Sequence, residues 1–147
     1  MRIAYTARGP KADLAYDFVP TVKELAARSD FLLAITPGGA GTQGLINAEV
    51  LQALGPLGFF INIARGTVAD QPALLEALQK GTIAGAGLDV FYDEPRIDPA
   101  FFALPNVVLT PHMAAISANA QRAQRDLMFA NLEAFFAGRP VLTPVPE

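Results

Sequence analysis

The chain has 147 residues, 52% of them apolar and 17% charged, with a net charge of −3 and no cysteine; this suits one packed domain and argues against disorder. Its eleven Lys and Arg form no basic run, so neither nucleic acid nor an acidic membrane surface is an expected partner, and the lack of cysteine excludes disulfides and Cys-based metal sites. No stretch reaches the roughly 18–20 apolar residues of a membrane span, and the expectation is a soluble, cytoplasmic protein without a metal.

Arg2 to Thr6 is a brief strand candidate broken by Gly9-Pro10, and Tyr16 to Val19 is a second. Thr21 caps a helix over Val22 to Arg28, with Glu24 completing a capping box. Phe31 to Ile35 is a buried strand, Thr36 to Thr42 a loop, and Asn47 to Leu54 a helix. The run Phe59 to Ile63 has the composition of a buried parallel strand and ends abruptly in Arg65 and Gly66. Asp70 caps the next helix, with Pro72 in its first turn and Leu74, Leu75 and Leu78 on one face, stopping near Gly81. Ile83 to Phe91 is a further strand whose small residues admit close approach of a helix or ligand. Pro95 to Pro99 is a loop, Val107 to Leu109 a short strand, and Ser117 to Phe136 one long helix ended by Gly138-Arg139-Pro140. Alternating strands and helices predict an α/β fold with a doubly wound parallel sheet, without internal repeat or domain boundary.

Three polar residues follow successive strands: Arg65, Glu94 and His112. In open parallel sheets ligands bind at the carboxyl ends of the strands, so these side chains are expected to meet across one crevice. Arg offers a planar fork for a carboxylate, and His gives or takes a proton near neutral pH. A Glu beside that His favours its charged form and orients it. Such a set suits reduction of the carbonyl of a 2-oxo acid. Each residue taken singly also fits a bland role, Arg65 as a paired surface cation, His112 as a loop residue and Glu94 as part of a solvated turn; their joint placement carries the argument.

Asn62-Ile63-Ala64-Arg65-Gly66, then Gly87-Leu88-Asp89-Val90-Phe91-Tyr92-Asp93-Glu94-Pro95, then Asn106-Val107-Val108-Leu109-Thr110-Pro111-His112 resemble the signature blocks of the D-isomer-specific 2-hydroxyacid dehydrogenases. In order and spacing they are similar to the glyoxylate and hydroxypyruvate reductase branch. The resemblance implies that Arg65 binds the substrate carboxylate and carbonyl, that His112 protonates the carbonyl oxygen as hydride arrives, and that Glu94 holds and tunes His112. It further implies that Asp89 bonds the nicotinamide carboxamide, that the Ala64 and Arg65 backbone lies along the cofactor, and that Ala114, after His112, belongs to the cofactor-binding set. Family members usually carry a small residue followed by Ser or Gly and then Thr in that stretch, whereas here it reads Met113-Ala114-Ala115-Ile116-Ser117; Ser117 is assigned only as a helix cap.

NAD sites place an acidic residue after the second strand of a dinucleotide fold, and NADP sites a cation. Tyr5 to Lys11 fills that position here with no acid before Asp13, so Arg8, helped by Lys11, is the candidate for the 2′-phosphate and NADPH the expected cofactor. Thr36, Pro37 and the glycines after them are expected to border the adenosine and pyrophosphate; Gly38 to Gly41 fits a flexible turn equally well, and no phosphate loop is claimed from it.

By the resemblance, the chain starts where the family's second strand starts. The first strand, the Gly-x-Gly-x-x-Gly fingerprint and the helix after it are missing, as is the preceding substrate domain apart from the closing helix and tail, 117–147, that return to it. The expected domain is thus an incomplete, Rossmann-like NAD(P)-binding domain over 1–147. Three explanations are open: a piece of a longer enzyme, a short protein whose sheet closes against another copy or chain, or a rearranged sheet in which the second strand pairs directly with the fourth. In the last two a homo-oligomer, most simply a dimer, is expected. The functional expectation is a segment of an NADP-preferring reductase of glyoxylate, hydroxypyruvate or another small 2-oxo acid; the alternative is a non-catalytic module serving as an oligomerisation or scaffold unit.

Overall fold

A computed structural model describes residues 1–145, so Pro146 and Glu147 of the expected tail lie outside the described residues. The chain divides into two compact units, Met1–His112 and Met113–Glu147, where the sequence predicted no boundary. In the first unit the elements run β1 (Ala4–Tyr5), β2 (Asp17–Phe18), α1 (Val22–Ala26), β3 (Phe31–Ala34), α2 (Ala48–Leu54), β4 (Phe59–Asn62), α3 (Gln71–Gln79), β5 (Gly85–Leu88) and β6 (Val107–Leu109), with short 3₁₀ turns at Gly66–Val68 and Pro99–Ala103. The second unit carries α4 (Ala118–Phe136).

Every strand pairing is parallel, in two separate sheets: β1 with β2, and a four-stranded sheet ordered β3-β4-β5-β6. The α/β parallel architecture is as expected. Direct pairing of the second strand with the fourth is not, because β1 pairs with β2 and not with β3.

Register assigns the faces of the larger sheet. Leu32, Phe60, Ala86 and Val107 align across the four strands, as do Ala34, Asn62, Leu88 and Leu109 one pleat on. These side chains share one face because the side-chain period of a strand is two. That face meets Ala26 of α1, Val50, Leu51 and Leu54 of α2, and Leu74, Ala77 and Leu78 of α3 in one core. Leu75 is only half-buried, and Ala77 takes the place expected of it. The opposite face carries Phe31, Leu33, Phe59 and Val108, all exposed, with Phe31 stacked on Phe59 at 5.4 Å. β4 is therefore buried on one face only, and its run of apolar residues, Phe59 to Ile61, overstates its burial.

The helix ends follow the chemistry of their caps. Thr21, Asn47, Asp70 and Ser117 each accept the amide of the residue three positions on through a side-chain oxygen, satisfying an N–H that the first turn leaves orphaned. At the start of α1 the Thr21 hydroxyl donates in turn to the Glu24 carboxylate at 2.9 Å. Both Gly81 and Gly138 adopt positive φ, and the residue after each, Thr82 or Arg139, returns its amide to the carbonyl of Ala77 or Ala134. That is the Schellman closure for which glycine is the least strained residue.

Of the β5 glycines, Gly85 admits a different neighbour from the one predicted, while Gly87 meets only the Ile61 side chain at ordinary contact distance. A Cβ on Gly85 would lie 2.6 Å from the Asn106 carbonyl oxygen, so backbone fills the space expected for a helix or ligand. The loop expected from Pro95 runs into a 3₁₀ turn at Pro99–Ala103, which buries Phe101 edge-on against Phe91. In the second unit, Leu127, Leu132 and Phe135 of α4 are exposed, and Ala134 is buried. No helix among the described residues is long and apolar enough to cross a membrane.

Phe60 is 0% exposed and Leu57 86% exposed. Phe60→Ala should therefore lower the free energy of unfolding by about 3–5 kcal/mol in urea titrations, whereas Leu57→Ser should stay within about 0.5 kcal/mol of the parent.

Candidate active site

The β4 run ends in a turn built by its last residue. Asn62 is 1% exposed, and burying an amide is tolerable only where its polar atoms are bonded. Its Oδ1 accepts the Ala64 amide at 3.1 Å and its Nδ2 donates to the Arg65 carbonyl at 3.1 Å. Arg65, in extended backbone, donates from Nη1 to the Ala64 carbonyl at 2.7 Å and has no ion-pair partner among the described residues. Gly38 lies against its stem, since a Cβ there would come 2.8 Å from Arg65 Cγ. Gly66 is fixed more tightly still: a Cβ would fall 2.0 Å from the Phe91 carbonyl carbon and oxygen. Only glycine lets the segments after β4 and β5 cross there.

Glu94 and His112 meet directly. The Nδ1 of His112 lies 2.7 Å from Glu94 Oε2, while Glu94 Oε1 accepts the Phe91 amide at 2.8 Å. The hydrogen bond from His112 is the main cause holding the Glu94 carboxyl below the ordinary carboxylate range, with the Phe91 amide adding to it and burial opposing it. An ionised Glu94 accepts the proton on Nδ1, which leaves Nε2 as the ring atom able to exchange a proton with a substrate. His112 itself has a positive φ of 51°, and its amide is held by the carbonyls of Asp89 at 2.9 Å and Thr110 at 3.0 Å. A non-glycine residue in this region is uncommon and persists where its surroundings over-determine it.

Arg65, Glu94 and His112 line one open cleft of about 630 Å³ together with Gly38, Gly39 and Tyr92. The convergence predicted from the strand ends is thus present. Asp89, 4% exposed, lies behind it, its Oδ1 accepting from the Thr110 hydroxyl at 2.5 Å. Ala64 is buried in the turn, and Thr36 and Pro37 leave the end of β3. The Thr36 hydroxyl is buried with no hydrogen-bond partner among the described residues. Arg8 is exposed in the loop after β1 and is not among the residues lining the cleft. Ala114 falls in the second unit, in the turn before α4. Among the described residues no cluster suits a metal ion.

Two site residues escape a reading based on charge alone. Asn62 and Thr110 hold the turn and the buried carboxylate; their signal is an amide and a hydroxyl closing otherwise apolar strands. Conversely, Gly39-Ala40-Gly41-Thr42-Gln43-Gly44 has Gly-x-Gly-x-x-Gly spacing but is no phosphate cradle. The amides of Thr42, Gly44 and Leu45 are bonded to the carbonyls of Gly39, Thr67 and Thr42, and the Thr42 hydroxyl closes onto Pro37 at 2.7 Å.

Because the Glu94 carboxyl is held below its ordinary range, its bond to His112 is present above that range and is lost as pH falls through the lowered folded value. The chain has one histidine, so its ring NMR signals are unambiguous. They should show a step at that acid pH, and Glu94→Gln should abolish it.

Residues 1–114 match the family model for the D-isomer specific 2-hydroxyacid dehydrogenase NAD binding domain. The chain is 45% identical over 143 residues to a hydroxyphenylpyruvate reductase of Plectranthus scutellarioides, covering 97% of this chain and 46% of that protein. It is 43% identical over 143 residues to a glyoxylate/hydroxypyruvate reductase of Arabidopsis thaliana, again covering 97% of this chain and 46% of the relative. Among solved structures, an NADPH-dependent glyoxylate/hydroxypyruvate reductase of Sinorhizobium meliloti, in complex with NADP and malonate, superposes with a TM-score of 0.89 at 47% identity, over 98% of this chain and 45% of that one. The chain therefore spans somewhat under half the length of these relatives. With the family model covering most of its residues and the signature residues gathered at one sheet edge, the chain belongs to the D-isomer-specific 2-hydroxyacid dehydrogenase family.

Proposed function

We propose that this chain is the cofactor- and proton-handling part of an NADP-preferring reductase that converts a small 2-oxo acid, such as glyoxylate or hydroxypyruvate, to the D-2-hydroxy acid. The observation that carries the reading is the 2.7 Å Glu94–His112 pair lining the same cleft as an Arg65 that has no ion-pair partner among the described residues. The groups present fit a dinucleotide: the buried, unpartnered Thr36 hydroxyl at the end of β3, the buried Asp89 after β5, and an exposed Arg8 after β1. The cleft residues lie at the strand ends where such ligands bind. Thr36, Ala64 and Asp89 would hold the nucleoside parts and Arg8 the 2′-phosphate.

When bound, a dihydronicotinamide supplies the hydride that the carbonyl carbon receives. The protein does the rest. Arg65 pairs its guanidinium with the substrate carboxylate and orients the carbonyl. His112 passes the Nε2 proton to the carbonyl oxygen, so that hydride and proton together make the alcohol. Glu94 keeps Nδ1 engaged and balances the imidazolium charge before transfer.

The test is a fluorescence titration of the chain with NADPH and NADH, followed by turnover of glyoxylate and hydroxypyruvate. Tighter binding of NADPH than NADH, with the difference lost in Arg8→Ala, is expected. His112→Asn should lower kcat/KM by about 100- to 10,000-fold, and Arg65→Ala should raise KM as well. Binding of neither nucleotide would sink the proposal.

A homodimer forms part of the same reading, because Phe31, Leu33, Phe59 and Val108 leave an apolar sheet face exposed. Light scattering should give twice the 15.6 kDa chain mass, and Leu33→Glu should return it to one; a monodisperse monomer would contradict it.

A further inference from the structure

The loop that carries Arg8 is closed by a tyrosine at its own base. Tyr5 ends β1; its carbonyl accepts the Val19 amide at 2.8 Å and its ring meets Phe18 edge-on at 5.5 Å. The backbone of Tyr5 is thus held by the Val19 amide and one side of its ring by Phe18. Its hydroxyl accepts the Lys11 amide at 2.6 Å and lies 3.4 Å from the Lys11 carbonyl oxygen. That carbonyl also accepts the Leu14 amide at 3.3 Å. The segment Thr6 to Pro10 is therefore tied into a ring, with Arg8 at its middle and Lys11 at its closure.

Arg8 itself is exposed and has no ion-pair partner among the described residues. No partner side chain aims it, so what limits its range is the path of its backbone, and that path is limited by the tie to Tyr5. A cation on a constrained loop gives up less conformational entropy on meeting an anion than one on an open loop. A hydrogen bond formed away from the ligand thereby adds to affinity for one particular anion.

We infer that Tyr5 is a positioning residue for cofactor choice: by pinning Lys11 it holds Arg8 and Lys11 where a ribose 2′-phosphate arrives, and so sets the preference for NADPH over NADH. The inference rests on the cofactor reading above, and it assigns the discrimination to a hydroxyl that touches no part of the nucleotide. Tyr5→Phe removes that hydroxyl and keeps the ring against Phe18.

The experiment compares the parent chain, Tyr5→Phe and Arg8→Ala in parallel titrations with NADPH and NADH, with amide hydrogen exchange at Lys11 as a second readout. In Tyr5→Phe the NADPH Kd should rise about 3- to 10-fold, the range expected for one hydrogen bond, the NADH Kd should not move, and the Lys11 amide should exchange faster. Equal weakening of both nucleotides would make Tyr5 merely structural and overturn the inference, as would unchanged NADPH binding alongside a clear loss in Arg8→Ala. If the parent fails to bind NADPH, or Arg8→Ala binds it as the parent does, the cofactor reading itself fails and this inference goes with it.

Discussion

The interaction on which the site depends is a hydrogen-bond ladder that continues past the ends of its strands. Beyond β4 and β5, the Asp89 amide still bonds the Asn62 carbonyl at 3.0 Å, and the His112 amide bonds the Asp89 carbonyl at 2.9 Å. On the other side the Ile63 amide reaches the Ala34 carbonyl at 3.3 Å. The backbones that carry Arg65, Asp89 and His112 are thus registered to one another by the same bonds that register the sheet. Placing functional groups on rigid elements in this way keeps them near a productive geometry without a ligand to gather them.

Polar burial is concentrated at the same ends. Asn62 and Asp89 are the buried polar residues recorded beside an otherwise hydrophobic core. Each would cost several kcal/mol if left unbonded in an apolar interior. Asn62 is bonded to Ala64 and Arg65, and Asp89 to Thr110. The Thr36 hydroxyl lacks such a partner among the described residues. Asn106 Oδ1, before β6, is likewise buried without a partner among the described residues, and of the two only the Thr36 hydroxyl lies at a strand's carboxyl end.

Much of this was legible in the residues because the signals were local. N-caps at Thr21, Asn47, Asp70 and Ser117, glycine stops at Gly81 and Gly138, and the polar residues after successive strands all report on backbone chemistry within a few positions. Signals that depend on distant partners were less legible. The apolar run of β4 looked buried on both faces, but a strand's sequence states what a face could bury and not what lies against it. The small residues of β5 point to a close approach without naming the Asn106 carbonyl, which lies against Gly85 alone. The split into β1–β2 and β3–β6, and the division of the chain after His112, likewise depend on long-range packing.

The exposure of the Glu94–His112 pair bears on its chemistry. The His112 side chain is 49% exposed and that of Glu94 35%, so water screens the pair and its desolvation cost is small. An ionised Glu94, held below the ordinary carboxylate range chiefly by the bond from His112, therefore sits in a cleft open to water. On the function proposed above, a substrate and a dinucleotide would cover the pair and change this balance. Displacing water lowers the local dielectric and strengthens each electrostatic contact in the cleft. On that reading Glu94 would hold His112 Nδ1 more strongly, and Arg65 would hold the substrate carboxylate more firmly. Proton transfer to the carbonyl oxygen must work against the first effect, and it can do so only as hydride addition builds negative charge on that oxygen. On that reading the pair would release its proton as the carbonyl is reduced, its proton matched to a base that exists only along the reaction.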